Sequence, residues 1–167
     1  MVKIRTDREI ELIAQSNKIV SDTLDMLSVY LQPGISTSKL DGIAEKFIAD
    51  KGGRPAFKGY MGFPSTLCIS IDDEVVHGIP NGKVLEDGQI VSIDCGVEKK
   101  GYYGDSARTF AVGSINHDKK KLMKVTKESL MKGIEAAKDG NYVSDIGYAV
   151  QSYVEAHGFS VVRDLVG

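Results

Sequence analysis

The 167-residue sequence predicts an α+β fold in which helices flank one block of short strands. Three observations carry that prediction. Apolar residues recur at helical spacing over residues 10–31 and again over 40–48; between Gly53 and Gly113, glycine, proline and aromatic residues surround short alternating or apolar runs; helical spacing then returns from about residue 118. A chain of this length buries roughly 70% of its unfolded surface. One catalytic-type domain over residues 1–167, without a disulfide or structural metal, is therefore expected.

The first helix opens at Thr6 and Glu9, a spacing at which each side chain can satisfy the other's free backbone N–H. Ile10, Ile13, Asn17, Val20, Leu24, Leu27 and Leu31 follow at steps of three and four, so one face, broken only by the asparagine, should be buried until Pro33-Gly34 stops the helix. A second helix over about residues 38–51 carries Leu40, Ile43, Ala44, Phe47 and Ile48 and ends at Gly52-Gly53, where glycine most easily supplies a left-handed cap. The runs TLCISI, EVVHGIP, QIVSIDCGV and YYGDSARTFAV read as strands of a sheet. Two more helices are expected at about 118–138 and 144–157, and FSVVRDLV reads as a strand cut short by the end of the chain.

The stretch PGISTSKLDGIAEKFIADKGG can be laid over DGNYVSDIGYAVQSYVEAHGF at an offset of 106 residues. Gly34 then meets Gly140, Leu40 meets Ile146, Phe47 meets Tyr153 and Gly52 meets Gly158. Two unrelated amphipathic helices would match in class alone; the shared glycine spacing points to an internal duplication. On that reading residues 1–113 are a complete α-α-β unit, and residues 114–167 open a second one that is incomplete.

Composition excludes several functions. With 42% apolar residues, 26% charged residues and a net charge of -2, the chain has no basic excess to suggest a nucleic-acid partner. No run approaches the ~20 apolar residues of a membrane span, and the amino terminus is charged from its third residue, so a cytoplasmic protein is expected. Cys68 and Cys95 lie 27 residues apart, with neither a C-x-x-C nor a finger-spaced histidine pair, which argues against a disulfide framework and a zinc finger. Phosphate-binding glycine loops and a G-x-S-x-G nucleophile elbow are missing as well.

The candidate chemistry centres on IVSIDCGVEKKGYYGDSARTF. Strand alternation puts Ile90, Ser92, Asp94 and Gly96 on one face and Val91, Ile93, Cys95 and Val97 on the other. A hairpin centred between Lys99 and Lys100 would set Asp94 directly opposite Asp105, while a bulge at Gly101 would move the two to opposite faces. Opposed like charges are destabilising. Water, a shared proton or a cation could relieve them, and the apolar setting of Asp94 favours a metal, with oxygen-rich ligation suited to Mn, Fe, Co or Zn. Two carboxylates cannot complete two coordination shells, so further ligands must come from elsewhere.

Of the three histidines, His117 and His157 flank helix ends and are expected to be solvated, whereas His77 enters the Gly/Pro-shaped turn HGIP at the rim of the sheet. The segment GGRPAFKGYMGFPSTLC reads either as an irregular connection or as a small pocket. Phe57, Tyr60, Phe63 and Cys68 would supply the aromatic and sulfur walls against which a thioether packs well.

Taken together, GYMGFPSTLCIS, VVHGIP, VSIDCGV and GYYGDSARTF closely resemble the bacterial type I methionine aminopeptidases, over residues 1–167. The resemblance implies the pita-bread fold, two α-α-β halves related by a pseudo-twofold axis. It implies two divalent ions (Co, Mn, Fe or Zn) in the parent protein, with Asp94 and Asp105 as two of five metal ligands. His77 matches the histidine that contacts the substrate, and Tyr60, Phe63 and Cys68 match the methionine pocket; Phe57 stands where some relatives carry cysteine. In the family VVRDLVG is followed by a histidine ligand and later by two glutamates, whereas here Gly167 is last. The expectation is thus a truncated chain with weak or absent metal and little or no hydrolysis of its own.

For the parent the resemblance implies removal of the initiator methionine from nascent proteins by metal-activated water, as a cytoplasmic monomer that works on nascent N-terminal peptides and associates with ribosomes. The truncated form could instead pair with a second copy through its open sheet edge. Two rival readings stay open: a proline-specific aminopeptidase or creatinase-type hydrolase on the same fold, and a non-catalytic module that binds peptides or ribosomes.

Overall fold

In the structure, a computed structural model that describes residues 4–163, the first helix begins where the sequence places it. In α1 (Asp7–Ser28) the Thr6 hydroxyl accepts the Glu9 N–H at 3.3 Å, and Glu9 Oε2 accepts the Thr6 N–H at 2.9 Å. Thr6→Ala leaves one of these donors unpaired and is expected to lower stability by about 1 kcal/mol, read from the urea midpoint.

Of the expected line in α1, Val20, Leu24 and Leu27 are buried and are joined by Ser16, Ile19 and Thr23, whereas Ile10 and Asn17 fall outside the buried stripe. Ile10 is 54% exposed, and the Asn17 amide folds back onto the Ile13 carbonyl. The cause is a contact made far along the chain: the Ser16 hydroxyl donates to the Tyr102 carbonyl at 2.8 Å, which turns the Ser16 flank toward the sheet. The helix also ends at Ser28, ahead of Pro33. The next helix, α2 (Thr37–Asp50), is capped by Ser36 rather than started at Ser38, and it buries Leu40, Ala44 and Ile48 completely.

Four strands follow: β1 (Arg54–Pro55), β2 (Leu67–Ile71), β3 (Ile90–Lys99) and β4 (Tyr102–Ala111). All pair antiparallel to β3, with β1 and β2 sharing one of its edges and β4 on the other. Val91, Ile93, Cys95 and Val97 are fully buried in a cluster with Leu24, Leu27, Leu40 and Ile48, so the helices cover the predicted apolar face. The opposite face, that of Asp94, is left to the site.

The expected strand EVVHGIP does not form. Residues 72–89 are a loop in which Val75 and Val76 are more than half exposed. Asp72 takes a left-handed φ of 53°, and Glu74 turns back so that its carboxylate accepts the Ile71 N–H at 2.8 Å, which ends β2 before alternation can continue. The far end of the loop is tied to the start of α2: Thr37 N–H donates to the Lys83 carbonyl and Leu85 N–H to the Ile35 carbonyl.

The chain divides into two compact units between Ile115 and Asn116. The second contains α3 (His117–Ala136) and α4 (Val143–Ala156), whose backbone N–H at Tyr142 is taken by Asp145, so α4 starts without a serine cap. Both ends of α4 lie 106 residues beyond those of α2, and each is 14 residues long. The flanking glycines match in conformation too, with φ of 99° and 88° at Gly34 and Gly140 and 72° and 83° at Gly52 and Gly158. Residues 159–163 are not a strand, and the rest of FSVVRDLV lies outside the described residues. His117 is exposed as expected; His157 is half-buried, stacked on Tyr153 with its Nδ1 2.7 Å from the Tyr153 carbonyl. Among the described residues no helix is long and apolar enough to cross a membrane.

Candidate active site

The two aspartates reach one face by a different register from the expected one. Lys99 pairs with Tyr102, so the turn is Lys100-Gly101 and Asp94 lies opposite Ala107, while Asp105 lies opposite Gly96. The choice follows from turn chemistry. A two-residue hairpin turn matching the strand twist needs positive φ at both central residues, 56° at Lys100 and 82° at Gly101; glycine accepts this freely, and a Lys-Lys turn would place two side-chain-bearing residues there. The partner of Asp94 is displaced by two residues, an even step, so Asp105 keeps the same face. The carboxylates are diagonal neighbours rather than directly opposed.

Asp94 is half-buried and Asp105 exposed. Burial pushes the Asp94 carboxyl up to about 6, the Asp105 carboxylate beside it acts in the same direction, and the charge of His77 and the Cys95 N–H act against them. Burial, with added repulsion from Asp94 and Asp105, likewise raises the Cys68 thiol to about 11 and the Cys95 thiol to about 12, so both remain neutral thiols. Among the described residues Asp94 Oδ1 is buried without a hydrogen-bond partner. A buried carboxylate oxygen left unpaired beside a second carboxylate calls for a proton or a cation.

Cys68 pairs with Asp94 across β2 and β3 and shares its face. The Phe57 ring lies on Gly96, so closely that a Cβ there would come within 2.4 Å of the ring. Phe63 is half-buried, and Tyr60 is 69% exposed at the tip of a loop whose Met61 has a φ of 47°. Phe57 and Cys68 therefore border the aspartates, while Tyr60 stands out into solvent. A cavity of about 540 Å³ lies elsewhere, between α1 and α2, and none of the candidate residues lines it.

His77 is exposed and holds a left-handed φ of 59°, a conformation uncommon for any residue with a side chain. Three residues shape this site whose individual roles the sequence does not give, although Ser70 and Gly78 lie within motifs it presents. Asp41 on α2 accepts the N–H groups of Thr66 and Leu67 and so fixes the start of β2; Ser70 and Gly78 hold the His77 loop to the outer edge of that strand. Burial raises the Asp41 carboxyl, with those two N–H groups opposing the shift. Only the docking of distant segments gives these residues their roles.

The orphaned Asp94 oxygen, the neighbouring Asp105 carboxylate and an imidazole within electrostatic reach form an oxygen-rich donor set that fits a divalent first-row ion. The set is partial: no three His, Cys, Asp or Glu side chains converge as a metal-holding group among the described residues.

The fold is of the pita-bread kind, shared with solved methionine aminopeptidases. The chain belongs to metallopeptidase family M24, whose profile matches residues 11–167. Its relatives narrow the class. A methionine aminopeptidase of Clostridium acetobutylicum is 51% identical over 168 residues, covering 100% of this chain and 67% of the relative. Methionine aminopeptidase 1 of Bacillus subtilis is 50% identical with the same coverage. The crystal structure of a methionine aminopeptidase from Thermotoga maritima superposes with a TM-score of 0.98 at 38% identity, over 100% of this chain and 68% of that one. The chain thus spans about two thirds of the length of these relatives.

Proposed function

We propose that this chain carries part of the active site of an aminopeptidase that removes N-terminal methionine from newly made proteins. The observation that carries the reading is the pair Asp94 and Asp105 on one sheet face, with a buried carboxylate oxygen lacking a partner. Asp94 and Asp105 would hold a divalent ion or a pair of them, of the Mn, Fe, Co or Zn type. Such an ion supplies Lewis-acid polarisation of the scissile carbonyl and lowers the pKa of the attacking water.

The residues of the chain do the rest. His77 donates a hydrogen bond to the scissile amide or to the developing tetrahedral oxygen, a contact worth a few kcal/mol when water is excluded. Cys68, a neutral thiol, and the Phe57 ring give the face an apolar, polarisable border suited to a thioether, with Tyr60 and Phe63 closing over it when substrate binds. The setting is the cytoplasm, close to where nascent chains emerge.

The test is release of free methionine from a Met-Ala-Ser peptide by the longest polypeptide the gene encodes, supplied with Mn²⁺ or Co²⁺. Asp105→Asn is expected to lower kcat/KM on the order of 10³-fold, and chelation to abolish turnover. Preference for Xaa-Pro peptides would favour the proline-specific rival. Peptide binding that survives chelation, without turnover, would favour the non-catalytic module.

A further inference from the structure

The loop that carries His77 meets the outer edge of β2 at two residues, Glu74, whose carboxylate accepts the Ile71 N–H, and Gly78, which follows His77 directly. Ile69 N–H donates to the Gly78 carbonyl at 2.8 Å, and Gly78 N–H donates to the Ser70 hydroxyl at 3.2 Å. The first bond extends the sheet by one residue. The second is different, because the Gly78 N–H belongs to the peptide plane that directly follows His77. Holding that N–H fixes the orientation of the plane, and with it the direction in which the His77 side chain leaves the backbone.

Such holding is needed here. His77 has a φ of 59°, which a residue with a Cβ abandons unless its surroundings retain it. No side chain at residue 78 could anchor the loop, since the backbone there lies so close to β2 that a Cβ would come within 2.1 Å of the Ile69 carbonyl oxygen. Val75 and Val76, just before His77, are exposed, and the nearest tie upstream is the Glu74 carboxylate on the Ile71 N–H, three residues away from His77. Ser70, by contrast, is 4% exposed, and its cross-strand partner Ser92 lies two residues from Asp94 on the same face. Its hydroxyl is a buried acceptor on the rigid part of the sheet, within the layer that carries the carboxylates.

We propose that Ser70 is a positioning residue: by accepting the Gly78 N–H it keeps the His77–Gly78 peptide oriented, and so fixes the direction in which the imidazole leaves the loop. Ser70 does not touch substrate; it acts through His77. The kinetic consequence rests on the aminopeptidase reading, whereas the holding of the loop does not, and the experiment separates the two.

The kinetic arm compares Ser70→Ala, His77→Ala and the double variant on Met-Ala-Ser with Mn²⁺, in the longest polypeptide the gene encodes. Ser70→Ala is expected to lower kcat about tenfold with KM within about twofold, and to change kcat less than about twofold once His77 is already alanine. Equal losses in both backgrounds, or no loss in either, would overturn the proposal. So would a fall of more than about 10 °C in the melting temperature of Ser70→Ala, which would mark Ser70 as a core residue instead. If the wild-type enzyme releases no methionine, the aminopeptidase reading fails and NMR of the 167-residue chain decides the positioning. Exchange of the Gly78 amide should then quicken about tenfold or more in Ser70→Ala, and the His77 Hε1 resonance should move while those of His117 and His157 stay fixed. Unchanged Gly78 exchange and an unmoved His77 resonance would sink it.

Discussion

Asp94→Asn is expected to abolish metal-dependent turnover and, in the metal-free protein at pH 7, to raise the melting temperature. Loss of turnover, on the order of 10³-fold or more, follows from removing a charged oxygen donor that neither Cys68 nor Asp105 can replace in position. The gain in stability follows from linkage. Asp94 titrates near 6 in the folded chain against an ordinary value of 3.8, so the folded state holds its proton more tightly than the unfolded state does. Stability from that proton is fully present below about pH 4 and lost as pH rises through about 6. In chelator, wild type should therefore lose stability between pH 4 and 7 relative to Asp94→Asn, which cannot ionise. Because the carboxylate is only half-buried, solvent screening holds the difference to about 1–2 kcal/mol. The measurement is a pair of melting curves in chelator at pH 4.5 and 7. Parallel behaviour of the two proteins would show that Asp94 is already relieved by something other than a proton or a metal.

Gly104→Ala should unfold or severely weaken the first unit, although it adds one methyl group. A Cβ at this position would lie 2.5 Å from the Asn17 backbone nitrogen and 2.6 Å from the Ser16 carbonyl carbon, so it meets helix backbone and not a movable side chain. To admit it, α1 must lift from β4. The Ser16 hydroxyl bond to the Tyr102 carbonyl would stretch, as would the 2.6 Å Arg108–Asp25 ion pair. An overpacked contact of this kind costs about 3 kcal/mol or more, a fall of roughly 10 °C or more in melting temperature. Gly42→Ala is the control of opposite sign. Gly42 sits inside α2 with nothing within 4 Å of its missing Cβ, so alanine there should stabilise by up to about 1 kcal/mol. Equal effects of the two changes would mean that the close approach at Gly104 is not what seats the helix.

Local pattern explains how much of this could be read from the sequence. The faces of β3 were legible because burial imposes a period of two, and Val91, Ile93, Cys95 and Val97 are all fully buried. The helices were legible for the same reason at a period of 3.6. The burial of α1 was read from that period alone and came out rotated, because the Ser16 bond to Tyr102 joins residues 86 apart. EVV looked like a strand because its residues favour one, yet a side-chain cap from Glu74 ended the strand first. In the site, the aspartates announced themselves by a conflict of like charges, which survives an error of two in pairing. Asp41 announced nothing, and Ser70 and Gly78 showed only as members of motifs, since each serves to dock one segment on another.

The Lys100-Gly101 corner has a consequence for how the sequence of this hairpin can drift. Its tip can gain residues, which would simply bow outward, but it has none to give up. Deleting one would slide β4 by a single step, sending Asp105 toward the helices and bringing Gly104 out to the open side. Both the seat of α1 and the acid pair would disappear at once. Lineages of this chain should therefore vary in what stands at the corner, and lengthen there on occasion, but never lose a single residue.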